Sequence, residues 1–182
     1  MDYFVMVCEG KHPIMPIARG PRCRGLWCSG RPLTVPVTTP LVYTLDPDYP
    51  GNPKAMYYEE AVPVMREDVI EALRKAGVDY FDAILENPLT GQQLLSYKAF
   101  NVIGVVSAPD MDASELMGTS SSSMGDVDFH ALVLDESRIN GQLIFRLAEK
   151  LGAIVVHESV RKAIEAAGIP GFVFYGPGEW SG

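Results

Sequence analysis

Proline narrows what this chain can fold into more than any other feature. Ten of its 14 prolines (Pro13, Pro16, Pro21, Pro32, Pro36, Pro40, Pro47, Pro50, Pro53 and Pro63) fall between Gly10 and Pro63. Each lacks an amide donor and fixes φ, so long helices are excluded there and any strand must be short. Leu41-Val42-Tyr43-Thr44-Leu45 reads as one such extended piece, expected at a sheet edge. Residues 2–8, rich in Tyr, Phe and Val, read as a first strand ahead of the prolines.

The pattern becomes regular from Met65 onward. Val69, Ala72, Leu73 and Ala76 recur at i, i+3, i+4 and i+7, the apolar stripe of a helix over about 67–76. Glu67 and Asp68 open it, Arg74 and Lys75 close it, and Gly77 is placed to take the left-handed position at its C-terminus. Val160, Ala163, Ile164 and Ala167 repeat the spacing in a second helix over about 157–167, with His157 at the N-cap and Gly168 closing it. Strands are expected over Tyr80–Leu85, Tyr97–Val106, Phe129–Leu134, Leu143–Leu147, Ala153–Val156 and Phe172–Tyr175, with a turn at Asn87-Pro88-Leu89-Thr90-Gly91. Tyr97–Val106 is apolar over most of its length and is expected to be central. The two helix–glycine–strand runs, Val69 to Phe81 and Val160 to Phe172, match position by position. Duplication of a binding unit and simple convergence both explain this, and convergence is the simpler.

A chain of 182 residues with 47% hydrophobic and 21% charged content can bury a sizeable core, which excludes wholesale disorder and fibrous folds. No apolar run approaches the ~20 residues of a membrane span. The N-terminus carries Asp2 where a secretory signal has basic residues, so a cytoplasmic protein is expected. These readings give an α+β fold: a mostly antiparallel sheet with the two amphipathic helices packed on it. One domain is expected over 1–182, with a Pro/Gly-rich irregular N-terminal region at 1–64 and a core at 65–176.

Charge is uneven. Residues 1–35 hold five basic and two acidic residues, +3, while the rest holds ten basic and 21 acidic, −11. An acidic body repels nucleic acid and suits capture of a basic protein partner. Three cysteines, Cys8, Cys23 and Cys28, are too few and too odd for a disulfide framework. With His12 they contain four potential zinc ligands, but the one loose Cys23-x4-Cys28 pair lacks the tight knuckles of a zinc ribbon, and no metal is expected. No phosphate-binding loop or nucleophile elbow is present. His130 with Ser137 and Asp135 contains the residue types of a hydrolytic triad, but as a strand end and a turn these read as structural groups. A non-catalytic protein is therefore expected.

Several ordered segments carry a resemblance. They are Ala76-Gly77-Val78-Asp79-Tyr80-Phe81, then Glu86-Asn87-Pro88-Leu89-Thr90-Gly91, then Tyr97-x-x-Phe100-Asn101-Val102-Ile103-Gly104-Val105-Val106. Leu132 to Ser137, Leu143 to Leu147, and Val155 to Phe172 follow. Over about residues 69–174 the chain resembles a bacterial immunity-protein family of polymorphic toxin systems, formerly a domain of unknown function. His157 stands where a serine is expected, a replaced helix cap. The resemblance implies a toxin–antitoxin-like role: a cytoplasmic protein that binds and neutralises a cognate protein toxin, expected to be encoded nearby. It implies no catalytic residue and no cofactor. Alternatives are a scaffold or assembly partner of a secretion system and a small unrecognised hydrolase, and a homo-oligomer is compatible with each.

Contact residues must then come from chemistry. Acids suit a basic toxin and aromatics supply interface anchors. Two surfaces qualify: the acids Asp110, Asp112, Glu115, Asp126 and Asp128 flanking the run Gly118–Gly125, and Tyr57-Tyr58-Glu59-Glu60. Tyr57 and Tyr58 also read as core residues of a strand, one facing in and one out.

Overall fold

The computed structural model describes residues 2–10, 14–19, 24–48, 52–58, 62–73, 76–117 and 126–182. His12, Cys23, Glu59, Glu60, Arg74, Lys75 and Gly118–Gly125 lie outside them. The fold is α+β and sheet-rich.

One sheet has five strands. Within it β1 (Tyr3–Cys8) pairs antiparallel with both β12 (Ile154–His157), the central strand, and β13 (Phe172–Tyr175) at one edge. Next to β12 lies β11 (Ile144–Leu147), antiparallel, and β8 (Val105–Val106) closes the edge in parallel with β11. The other sheet has six strands in the order β2 (Ile14–Arg19), β3 (Leu41–Leu45), β6 (Val78–Glu86), β7 (Gln93–Val102), β5 (Val64–Arg66) and β4 (Met56–Tyr57). Only the β3–β6 pair in it is parallel. A short ribbon of β9 (Glu115–Leu116) and β10 (Phe129–Ala131) stands apart. The segment before β3 contains one short helical turn, α1 (Arg24–Trp27).

Two helices lie between the sheets. Helix α2 (Glu67–Ala72) leaves β5 and leads into β6; α3 (Glu158–Ala166) leaves β12 and leads into β13. Strands β5 and β6 flank β7 antiparallel, as β12 and β13 flank β1. Each helix therefore crosses over one intervening strand, and the two matching sequence runs are two split β–α–β units facing each other. Their meeting layer buries Met6, Cys8, Ile154, Val156, Val160 and Ile164 from one side and Met65, Val69, Leu73, Phe100 and Val102 from the other.

Both sheets are buried on their far faces too. Tyr3, Val5, Phe145, Leu147 and Val155 face a second core with Phe129, Leu132 and Trp180. Leu41, Tyr43, Val64, Ala83, Leu85, Tyr97 and Ala99 face a third with Trp27. Strands apolar at nearly every position follow from this, because alternate side chains enter different cores.

Four expectations need correction. Leu41–Leu45 is not at an edge: β2 and β6 flank it on either side. The first helix ends at Ala72, and Gly77 has no positive φ; a Cβ there would sit 3.2 Å from the Ile103 carbonyl oxygen, so close backbone approach is what the glycine allows. Tyr97–Val106 is two strands, split at Gly104 (φ +125), where the chain passes from the six-stranded to the five-stranded sheet. Phe129–Leu134 is a strand only to Ala131, after which Leu134 makes an isolated bridge to Pro109.

Candidate partner-binding surface

The β9–β10 ribbon begins at a turn that Asp110 builds. Its carboxylate accepts the backbone N–H groups of Asp112 and Ala113, each at 3.1 Å, and Ser114 Oγ bonds the backbone of Val133 in both directions. This local bonding holds the chain without a helix or long strand, as Asx turns do. Behind the ribbon, Phe129 drops its ring into the core against Trp180, and the Phe129 and Gly182 backbones bond each other reciprocally. The ribbon is thus mounted on the C-terminal tail.

Its outer surface is apolar and acidic together. Met111, Leu116 and Met117 are each close to half exposed, at 45%, 45% and 46%. Asp112 and Glu115, both exposed, are interleaved with them. Asp126 and Asp128 converge on Lys150, which lies 3.4 Å from Asp126 and in closer contact with Asp128. Partial burial pulls the Lys150 pKa down, but the hydrogen bonds it donates to Asp128 and Asp126 outweigh this and hold it above its ordinary value. Those two acids are anchored, whereas Asp112 and Glu115 make no ion pair with any described residue.

Beside the ribbon lies a cavity of about 420 Å³, lined by Val7, Tyr58, Lys150, Ala153, Trp180 and Gly182 among others. It brings together residues that the sequence keeps far apart. Tyr58 from one candidate segment and the Lys150 that binds Asp126 and Asp128 from the other share its wall. Tyr57 is elsewhere: it is buried in the third core, with the Lys54 ammonium 5.8 Å from its ring centroid. Glu59 and Glu60 lie outside the described residues.

The other chemical candidates have structural partners. Asp135 accepts hydrogen bonds from the Ser137 backbone N–H (3.1 Å) and hydroxyl (2.6 Å), capping the turn Glu136–Arg138. These bonds hold its carboxyl below the usual range. His130 is exposed on β10 and bonds neither Ser137 nor Asp135 among the described residues. His157 caps α3 through Nδ1, which accepts the Ser159 N–H at 3.1 Å. Among the described residues no group of three or more His, Cys, Asp or Glu could hold a metal ion, and Cys23 and His12 fall outside that statement. No helix among them is long and apolar enough to cross a membrane.

Sequence reasoning missed Met111, Leu116, Met117, Lys150 and Trp180. A signal existed for the first three, since apolar residues inside an acidic, non-periodic stretch have no helix or strand stripe to join. Lys150 and Trp180 had none, because their roles depend on which segments fold beside them.

Comparison with known proteins agrees with the resemblance and extends it. A family model described as an immunity protein family (Imm11) matches residues 47–178, more than half of the chain. The match begins ahead of β4 and takes in Tyr57 and Tyr58. No curated protein matches the chain.

Proposed function

We propose that this chain, which belongs to the immunity protein family (Imm11), binds and neutralises a cognate protein toxin without catalysis, using the outer surface of the β9–β10 ribbon. The observation that carries this reading is the set Met111, Leu116 and Met117, left in water and interleaved with Asp112 and Glu115. Soluble proteins seldom keep contiguous apolar groups exposed unless something covers them. Thioether side chains adapt to the surface they meet, which favours an interface that a partner completes.

The acids set the partner's chemistry. A toxin with a basic surface would be drawn to the −8 chain by long-range attraction and oriented by Asp112 and Glu115. Asp126 and Asp128 are already held by Lys150, so they shape the rim more than they supply free charge. The neighbouring cavity suits one apolar or aromatic anchor from the toxin, against Tyr58 and Trp180. The protein acts in the cytoplasm of the cell that makes the toxin, as a stoichiometric inhibitor.

The test is co-expression with the toxin encoded next to this chain, scored for survival, followed by co-purification. Survival with a stable complex is expected. Asp112→Lys with Glu115→Lys should weaken that complex about tenfold or more and flatten its salt dependence. Met117→Ala should weaken it independently of salt. Survival with no complex would overturn neutralisation by binding. An undiminished complex with all three substitutions would remove the ribbon as the contact surface.

A further inference from the structure

A second cavity, also of about 420 Å³, opens where the ends of the two sheets meet. Among the described residues it shares no lining with the cavity beside the ribbon. Glu9 and Gly171, next to the ends of β1 and β13, form one wall, and the Glu9 N–H donates to the Gly171 carbonyl oxygen at 2.7 Å. Lys54, Arg66, Leu94, Ser96 and Tyr97 form the other. Hydrogen bonds fix that second wall. The Arg66 N–H donates to the Ala55 carbonyl oxygen at 2.8 Å, the Tyr97 hydroxyl to the Lys54 carbonyl oxygen at 2.9 Å, and the Lys54 N–H to the Tyr57 hydroxyl oxygen at 3.0 Å.

Along this wall β7 has an open edge. Strand β5 runs beside it only as far as the Arg66–Tyr97 pair, after which the chain turns into α2. On its other side β7 is bulged: Tyr97 pairs with Ala83 and Leu94 with Leu85, so Leu95 and Ser96 both stand opposite Ile84. Among the described residues neither has a ladder partner. The Phe100 N–H donates to the Pro63 carbonyl oxygen at 2.9 Å and Lys98 pairs with Met65. Alternation by two along the strand then turns the Ser96 backbone toward the side that β5 has left. Leu95 beside it is 63% exposed. Unpaired backbone at a strand edge is a template for an added strand.

Charge at the cavity is unbalanced in one place. Asp68 clasps Arg66, and the Glu9 carboxylate accepts the Tyr175 hydroxyl at 3.4 Å. Lys54 makes no ion pair with any described residue, and its ammonium stands 5.8 Å from the centroid of the Tyr57 ring. A Cβ on Gly10 would lie 3.0 Å from the Lys54 Cγ, so the glycine leaves room for the lysine stem at the cavity.

We propose that this cavity binds an extended, acidic peptide segment of a protein partner. The segment adds antiparallel to β7 in the line that β5 leaves at Arg66, with its main chain meeting Ser96 and a carboxylate meeting the Lys54 ammonium. Main-chain pairing of this kind supplies affinity, and the charged contact selects which segments bind. The site does not depend on the toxin-binding ribbon, and either reading stands if the other fails.

The experiment pans a library of random linear heptapeptides against the full chain and titrates the enriched sequences calorimetrically. Enriched peptides should carry Asp or Glu and should bind Lys54→Glu about tenfold more weakly than the parent. Lys54→Met keeps the stem and should lose less. Binding should also slow hydrogen exchange of the Ser96 amide, which a loose electrostatic contact would not do. No enrichment would overturn the proposal, as would enriched peptides without an acid. Acidic peptides that bind Lys54→Glu as tightly as the parent, or that leave Ser96 exchange unchanged, would overturn it as well.

Discussion

The two split β–α–β units invite comparison because their sequences match at seven apolar or glycine positions and their topologies match strand for strand, yet their helices differ. Helix α3 runs nine residues, from the His157 cap to Gly168, which takes φ +64 and donates its N–H to the Glu165 carbonyl oxygen at 3.0 Å. Glu158 pairs with Lys162 one turn along. Helix α2 runs six. Arg66 at its N-cap gives no side-chain cap, and its guanidinium clasps Asp68 instead, at 2.8 and 2.5 Å. At Gly77 the chain is held against the end of β7, where the Ile103 N–H donates to the Gly77 carbonyl oxygen at 2.7 Å. Identical apolar spacing thus places a helix on a core but does not set its length. Terminal hydrogen bonds set the length of α3, and packing sets that of α2.

The strongest way to break this comparison is to hollow out both units. Leu73 and Ile164 are each 1% exposed in the layer between the sheets. Leu73→Ala and Ile164→Ala should each cost ~2–5 kcal/mol in urea unfolding, with Leu73→Ala the larger because the shorter α2 has no side-chain bond from its N-cap residue. A loss below ~1 kcal/mol at either site would mean that its helix is not part of that shared layer.

Glycines sharpen the difference next. A Cβ at Gly168 meets nothing within 4 Å, so Gly168→Ala carries only the left-handed backbone penalty, ~1–2 kcal/mol. Gly77→Ala starts from an ordinary φ and gains from a stiffer unfolded chain, offset by its 3.2 Å approach to Ile103. Its net effect should stay within ~0.5 kcal/mol of zero in the same unfolding assay. Equal losses would erase the distinction between a capped and a packed helix end.

The N-termini give smaller effects. His157→Ala should cost ~1 kcal/mol through loss of the bond to the Ser159 N–H, and His157→Ser should recover most of it in thermal melts. On the α2 side the hydrogen bond from Arg66 comes first among the forces holding the Asp68 carboxyl below its ordinary 3.8. A depressed folded pKa means that this contribution is complete above pH ~4 and is lost as pH falls through the folded value. Because both side chains are about a third exposed, screening limits it to under ~1 kcal/mol. Melting curves from pH 7 to 3 should therefore fall less steeply below pH 4 for Asp68→Asn than for the parent.

Much of the fold was legible along the chain. Strand β1, helix α3, the β6 strand with the Asn87 turn, and β11 to β13 all lie where periodicity and turn residues put them, because their signals are local. Leu41–Leu45 was misplaced for a physical reason: neighbouring prolines bar a strand from donating near its ends but say nothing of what pairs along its length. The break in Tyr97–Val106 was invisible as well. One glycine in an apolar run reads alike whether the strand continues or the chain changes sheets. The acids of the candidate surface were legible as charge, but not their inequality: Asp126 and Asp128 are tied to Lys150, whereas Asp112 and Glu115 stand among exposed methionines.

By itself, then, the sequence determined the element types, the acidic character and the family-like order of motifs, since these rest on residue chemistry and short-range spacing. Tertiary structure alone decided that the helices sit between two sheets, that Tyr57 is buried while Tyr58 lines a cavity with Lys150, and that Arg146 is enclosed. Burial is a property of neighbours, and those neighbours are brought in by pairings between segments far apart along the chain, such as Tyr3 with His157 and Val5 with Tyr175, which no local pattern encodes.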